Sequence, residues 1–403
     1  MSDHPPIASA PDAEARRARL GVAGLFTVNG LGYPSVVPWL PAIKDNLELS
    51  NAALGTAIAT MPLGALLTGM LAGPLIARFG SGRTAVVCGL LSAWMLPVVA
   101  LAPNWWVLAA ALFVIGSADT WADSAMNAHG LRVQRRYGRS IINTFHAVWS
   151  IAAVTGGLLG SAAIGLGVPL LLHLVGTAVA LTAVSLASSR MLLSGPEHAE
   201  RADGHTLDGS RLRPTARALG LVAALGALLM LAGAVEDAAA SWGGVYLLDE
   251  IGAASFLAGL PFMACQAMMT LGRLVGDRLT DAFGAVAVAR TGLLLSAAGL
   301  GGALLLPGVA TAVVGFALCG LGVATLFPLT LAAAGEVPGV RSGDGVAAVS
   351  WLARLGFLAF PPVVGLVADA VSLRAGLVLV PAAALVAACL AWSLRPQQPA
   401  GGG

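Results

Sequence analysis

The chain has 403 residues, of which 57% are hydrophobic and only 10% charged, with a formal net charge of +2. Soluble domains usually carry about 25% charge, so a soluble enzyme or binding module is excluded. The basic residues are scattered in short loops, which excludes a nucleic-acid-binding face.

The first 20 residues are polar and alanine-rich, with Arg16, Arg17 and Arg19 just before the first apolar run, and no cleavable signal peptide is evident. A membrane helix needs about 20 mostly apolar residues to cross about 30 Å of hydrocarbon. That ruler predicts spans at 21–43, 51–77, 84–102, 105–127, 141–164, 167–189, 217–240, 252–275, 285–306, 308–334, 343–367 and 374–394. The expected fold is an all-α membrane protein with twelve transmembrane helices in two six-helix halves. Its parts are a cytoplasmic tail over 1–20, a half over 21–189, a cytoplasmic linker over 190–216, a second half over 217–394 and a tail over 395–403. Glycine is frequent in membrane helices, and the 51 glycines fit close packing of helices rather than nucleotide loops. Cys88, Cys265, Cys319 and Cys389 lie in apolar runs and are expected to be packing residues.

The arginines orient the spans. Arg78, Arg83, Arg132, Arg135, Arg136, Arg139, Arg190, Arg201, Arg211, Arg213, Arg278 and Arg341 all fall on the side of the N-terminus. The opposite loops supply only Lys44 and Arg374. By the positive-inside rule both termini are expected to be cytoplasmic, and the expected location is a bacterial inner membrane.

The link GMLAGPLIARFGSGR after span two and the link GRLVGDRLTDAFG after span eight share a glycine-spaced helix end, a basic residue and an FG turn. Repeated halves of this kind are the plan of many secondary transporters. On these residues the whole chain resembles a major facilitator superfamily transporter. The family's cytoplasmic-loop pattern is matched by Gly69, Arg78, Gly80 and Arg83 in the first copy and by Gly272, Asp277 and Arg278 in the second. Gly73 and Pro74 stand where the first copy should carry an acid, so the resemblance assigns a gating ion pair to Asp277 alone. Within the superfamily, 126–157 resembles a bacterial branch related to fucose and other sugar permeases, through Asn127, Gly138, His146, Trp149, Ser150 and Gly156.

A charge in hydrocarbon costs roughly 2.5–3.5 kcal/mol even on lenient scales, so embedded ionisable residues mark function. Asp119 and Asp123 stand one turn apart near the cytoplasmic end of span four, with Trp121 turned away. Asp119 is a candidate proton carrier or substrate contact. Asp123 is expected to organise the cytoplasmic loop and gate, pairing with Arg132, Arg136 or Arg139. Glu236 and Asp237 are proton-coupling candidates in span seven, of which at most one need face the cavity, and the following SWGG either breaks the helix or ends the span. His146 is a further candidate, on a polar stripe with Asn143 and Ser150. His173 is expected to pack or bond to backbone, and His129 to sit at the membrane face. Arg354, near mid-depth in span eleven, should face the cavity and meet a carboxylate or a solute. Neutral cavity candidates are Asn29, Tyr33, Asn127, Asn143, Gln266 and Trp351, with Gly30 and Gly32 leaving room beside Asn29.

The sequence carries no Walker motif, and no cofactor or metal is expected. The reading is a carrier, not an enzyme, whose partners are a small-molecule substrate, protons and membrane lipids, functional as a monomer. Proton symport of a small polar, sugar-like solute by alternating access leads. Proton-driven efflux of a drug or metabolite is a second reading, and an uncoupled receptor or lipid-handling protein a third.

Overall fold

The computed structural model describes residues 12–138, 141–195, 215–340 and 342–395, and of Asn143, Ser342 and Gly343 the backbone alone. Among the expectations above, Arg139, Arg201, Arg211, Arg213, Arg341, the stretch 196–214 and the side chain of Asn143 lie outside the described residues.

Twelve helical spans among the described residues are long and apolar enough to cross a membrane. They are α1 (Ala13–Asn46), α2 (Asn51–Phe79), α3 (Ser81–Ala100), α4 (Trp105–Tyr137), α5 (Thr144–Gly165), α6 (Leu170–Ser189), α7 (Ala216–Ser241), α8 (Ser255–Phe283), α9 (Ala285–Leu305), α10 (Val309–Gly335), α11 (Asp344–Ala370) and α12 (Leu373–Leu394). Several run past the apolar stretch that predicts them. α1 begins at Ala13 because Asp12 caps it, accepting the Ala15 N–H at 2.6 Å. α4 continues to Tyr137 and stops where Gly138 turns left-handed at φ 70°.

The two halves repeat at their turns. Gly80, between α2 and α3, has φ 84° and ψ 152°, and Gly284, between α8 and α9, has φ 81° and ψ 153°. That conformation is open to glycine and strained for other residues, so both FG dipeptides of the sequence mark one repeated corner. The first span of each half is also interrupted. α1 is helical to Leu31, passes through turns at Tyr33–Ser35 and Val37–Trp39, and resumes over Leu40–Asn46, where Pro34, Pro38 and Pro41 withhold N–H donors. α7 stops at Ser241 and resumes at Gly243, so SWGG breaks the helix and the chain winds on to Glu250.

Ala13 and both FG corners lie at one end of the bundle, here the basal end; the opposite end is apical. Leu172, Val179 and Leu186, seven residues apart on α6, are exposed as an apolar stripe suited to lipid. Cys88, Cys265 and Cys319 are buried as expected, whereas Cys389 is exposed; all four are free thiols.

The halves join near the apical end. α2 packs on α11 so tightly that a Cβ on Gly55 would collide with the Pro361 carbonyl, and one on Gly365 with the Asn51 carbonyl. α5 packs on α8, where a Cβ on Gly157 would come within 2.8 Å of Met263 Cγ. The Asp369 carboxylate at the apical end of α11 accepts the N–H groups of Asn51 and Ala52, each at 2.8 Å, at the start of α2. Lys44 at the end of α1 pairs with Asp249 beyond α7.

Candidate functional site

Beneath this seal the polar residues of the two halves face each other. Deepest is a chain of three side chains. Trp149 Nε1 donates to Asn29 Oδ1 at 2.7 Å, and Asn29 Nδ2 donates to Asp119 Oδ1 at 2.7 Å. An indole N–H is donor only, so it must meet the amide oxygen of Asn29, which leaves the amide nitrogen aimed at Asp119. Gly30 makes the approach possible, since a Cβ there would lie 2.5 Å from the Trp149 carbonyl oxygen. Asp119 Oδ2 has no hydrogen-bond partner among the described residues.

Asn29, Tyr33, Asp119, Trp149, Glu236 and Asp237 are all half-buried. Asp237 accepts the Ser241 hydroxyl at 2.6 Å and lies within electrostatic reach of Tyr33 across the interface. Adjacent Glu236 lies within reach of Arg273 on α8. The two acids therefore diverge, as adjacent helical positions must.

Toward the basal end the side chains open to solvent. Asp123, His146, Arg273 and Arg354 are all exposed, yet they act on one another across the halves. Asp123 feels His146 and Arg354, and His146 feels Arg273. The solvent-exposed region these four share toward the basal end is termed the vestibule. Asn127 Nδ2 donates to Asp123 Oδ1 at 2.9 Å, holding that carboxylate against its own helix.

The expected pairing of Asp123 with Arg136 is not what forms. Arg136 instead binds Asp12 at 3.0 Å and Glu14 at 2.6 Å, because the extended start of α1 brings those acids beside the end of α4. Arg132 is buried and donates to the Ser194 carbonyl. His129 is buried rather than at a membrane face, bonded to Ser81 and to the Leu193 N–H. His173 behaves as expected, bonding the Ser35 carbonyl at 3.3 Å and stacking on Trp39. Trp121 points away from the vestibule and donates to the Thr68 carbonyl.

Gln266 is buried on α8, and Trp351 is half-exposed three residues before Arg354. Gly272 packs against Ala324 of α10, and Gly69 lies near Thr120. Arg78, Asp277 and Arg278 are exposed at the basal ends of α2 and α8. Arg83, Gly80 and Arg132 line a separate basal pocket of about 570 Å³ that none of the embedded acids reaches.

Two functional candidates escaped the sequence reading. Trp149 is visible there only as part of a resemblance, although it lies three residues from His146. Arg273 follows Gly272 directly and falls inside the predicted span 252–275, a signal as plain as that of Arg354.

The model of the Major Facilitator Superfamily matches residues 22–281 and 225–402. An uncharacterised MFS-type transporter of Yersinia pestis is 30% identical, over 86% of this chain and 88% of the relative. Membrane protein MosC of Rhizobium meliloti is 30% identical, over 91% and 88%. Among solved structures, nucleoside transporter NupG superposes with a TM-score of 0.74 at 14% identity, covering 94% of this chain and 100% of that one. At that identity the likeness is one of fold.

Proposed function

The chain belongs to the major facilitator superfamily, and on that premise we propose that it moves a small polar solute across a bacterial cytoplasmic membrane by proton-coupled alternating access. It is a multi-pass membrane transporter and not an enzyme. In this reading the halves over 21–189 and 217–394 rock about the site, and the basal end, with both termini and the 190–216 linker, is cytoplasmic. The state described is then sealed outside and open inside. The substrate is sugar-like, as the resemblance of 126–157 implies.

The observation that carries the coupling is the Trp149–Asn29–Asp119 chain. Hydrocarbon surroundings penalise an ionised carboxylate, and a proton removes the penalty. Asn29 offsets part of it through one oxygen of Asp119, while Oδ2 stays available for a proton. Asp119 lies beside the vestibule, so rocking changes which aqueous side it meets. Arg354 acts on Asp123, which in turn lies within reach of Asp119, linking the carboxylate of one half to a cation of the other.

Asp119→Asn keeps the size of the side chain and removes the titratable group. In proteoliposomes it should abolish pH-gradient-driven accumulation while leaving solute exchange measurable. Full uphill transport by Asp119→Asn at unchanged pH dependence would pass the role to Glu236, Asp237 or His146. A cysteine placed in 196–210 of a cysteine-free version tests the orientation: it should resist an impermeant thiol reagent added to intact cells.

A further inference from the structure

We propose that Arg273 and Arg354 form a binding site for the carboxylate of an acidic solute, so that the substrate is a hydroxylated carboxylate of the sugar-acid type. The inference rests on the transporter reading and adds the charge of the cargo to it.

Four observations carry it. First, the two arginines sit at matching depth. Arg354 is ten residues into α11 from Asp344 and Arg273 ten residues up α8 from Phe283, each about 15 Å from the basal end at 1.5 Å per residue. Second, both face the opposite half. Arg354 lies seven residues, two turns, from Pro361, which packs on Gly55 of α2. Arg273 lies within electrostatic reach of His146 on α5 of the other half.

Third, neither guanidinium forms an ion pair or a hydrogen bond with any described residue. The nearby acids are engaged elsewhere by neutral donors: Asp119 by Asn29, Asp123 by Asn127 and Asp237 by Ser241. Glu236 is within reach of Arg273 but outside ion-pair distance. Fourth, the chemistry is selective. A guanidinium stays charged at any physiological pH and presents a planar fork that matches a carboxylate with two parallel hydrogen bonds. Both guanidinium groups are exposed and unpaired, so an anionic ligand meets two forks that no carboxylate of a described residue already occupies. The Asn127 amide oxygen, beside the Asp123 that Arg354 reaches, has no partner among the described residues and can accept from a ligand hydroxyl.

The test measures binding without a gradient, on purified protein in lipid nanodiscs, by quenching of intrinsic tryptophan fluorescence. Gluconate and glucuronate are titrated against glucose as the neutral match. The acids should bind at least tenfold more tightly than glucose. Arg273→Gln and Arg354→Gln should each weaken the acids about 10- to 100-fold, the loss expected for a hydrogen bond to a charged group. Arg273→Lys should recover part of the affinity, and unchanged thermal unfolding confirms that the variants are folded. Equal binding of glucose and the acids, binding of neither, or full acid affinity in Arg273→Gln overturns the proposal. Arginines that only latch the vestibule would instead shift its opening and leave selectivity between acid and neutral sugar unchanged, which also overturns it. Acid binding without pH-driven flux would sink the coupling reading and leave this one standing. Flux of glucose that Arg273→Gln does not alter would do the reverse.

Discussion

The apical and basal ends of this protein are built from different materials. At the apical end the halves touch through glycines, with Gly55 on Pro361, Gly365 on Asn51 and Gly157 on Met263, and polar groups only fasten the edge. At the basal end the facing residues are Asp123, His146, Arg273 and Arg354, long charged side chains that stand apart. Such close packing excludes water, and a gap of about 0.5–1 Å already forfeits a quarter to a half of the attraction. Charged side chains tolerate a changing gap and interact through it. One end is therefore suited to closing tightly, and the other to holding an open, solvated surface that still senses its opposite wall.

The largest effect should come from spoiling the packing. Gly55→Leu inserts a side chain where even a Cβ collides with the Pro361 carbonyl. Overpacking costs about 1–3 kcal/mol, roughly 5- to 150-fold in the balance between sealed and unsealed states. Spin labels on the apical ends of α2 and α11 should report a longer mean distance, and uphill transport should fall accordingly. An unchanged distance distribution with normal transport would mean that the seal does not govern the cycle.

This difference between the ends also explains what the sequence could reveal. Spans are additive properties of about 20 residues, so twelve could be counted, and the two FG corners announced Gly80 and Gly284 by residue type alone. Asp119 and Arg354 stood out because charge in an apolar run is rare. The seal did not, since Asp369 and Asn51 are 318 residues apart and Lys44 and Asp249 are 205 apart. Those pairings depend on how the halves are set against each other, which no local pattern records. Arg273 was legible by the same rule as Arg354 but sat inside a loop pattern that drew attention to its neighbours. The destination of Asp123 was hidden because the pairing of Arg136 depends on α1 starting eight residues earlier than its apolar run.

The next effect in size belongs to the deep polar chain that both ends enclose. Asn29→Ala removes a hydrogen bond to a carboxylate, worth about 1.5–3 kcal/mol, and should lower pH-driven uptake by about tenfold or more. Trp149→Phe removes only the bond that orients the Asn29 amide. A neutral hydrogen bond is worth about 0.5–1.5 kcal/mol, so uptake should fall roughly 2- to 10-fold. Initial rates at a fixed pH gradient order the two variants. If Trp149→Phe proves as damaging as Asn29→Ala, the indole has a role of its own in the site.

Smaller still is the clasp of Lys44 on Asp249, whose side chains are 13% and 34% exposed. Ion pairs near the surface contribute about 0.2–1 kcal/mol, so Lys44→Ala and Asp249→Ala should each shift the apical distance distribution by less than about fivefold. A double-mutant cycle should show the two effects to be non-additive. Additive effects would remove the pair from the seal and leave it to the glycines and Asp369.

The smallest effect sharpens the contrast by supplying a clasp that joins no moving parts. Asp12 and Glu14 hold Arg136 within one half, so breaking that cluster should leave the balance between the two ends unchanged. What it should change is local. The Ala15 N–H and then the Arg136 guanidinium favour the ionised Asp12 carboxyl, holding it below the usual carboxylate range. A depressed folded-state value means that the cap's contribution is fully present above the ordinary carboxylate range and is lost as pH falls through the lowered one. Hydrogen exchange of the Ala15 amide should therefore stay slow, relative to its intrinsic rate, at neutral pH and lose protection only in strong acid. Asp12→Ala should remove that protection at every pH, with transport changed by less than about twofold, in keeping with the small worth of surface ion pairs. A fall in transport comparable to that of Asn29→Ala would show that the basal start of α1 moves against the other half, and the division of labour between the two ends would have to be redrawn.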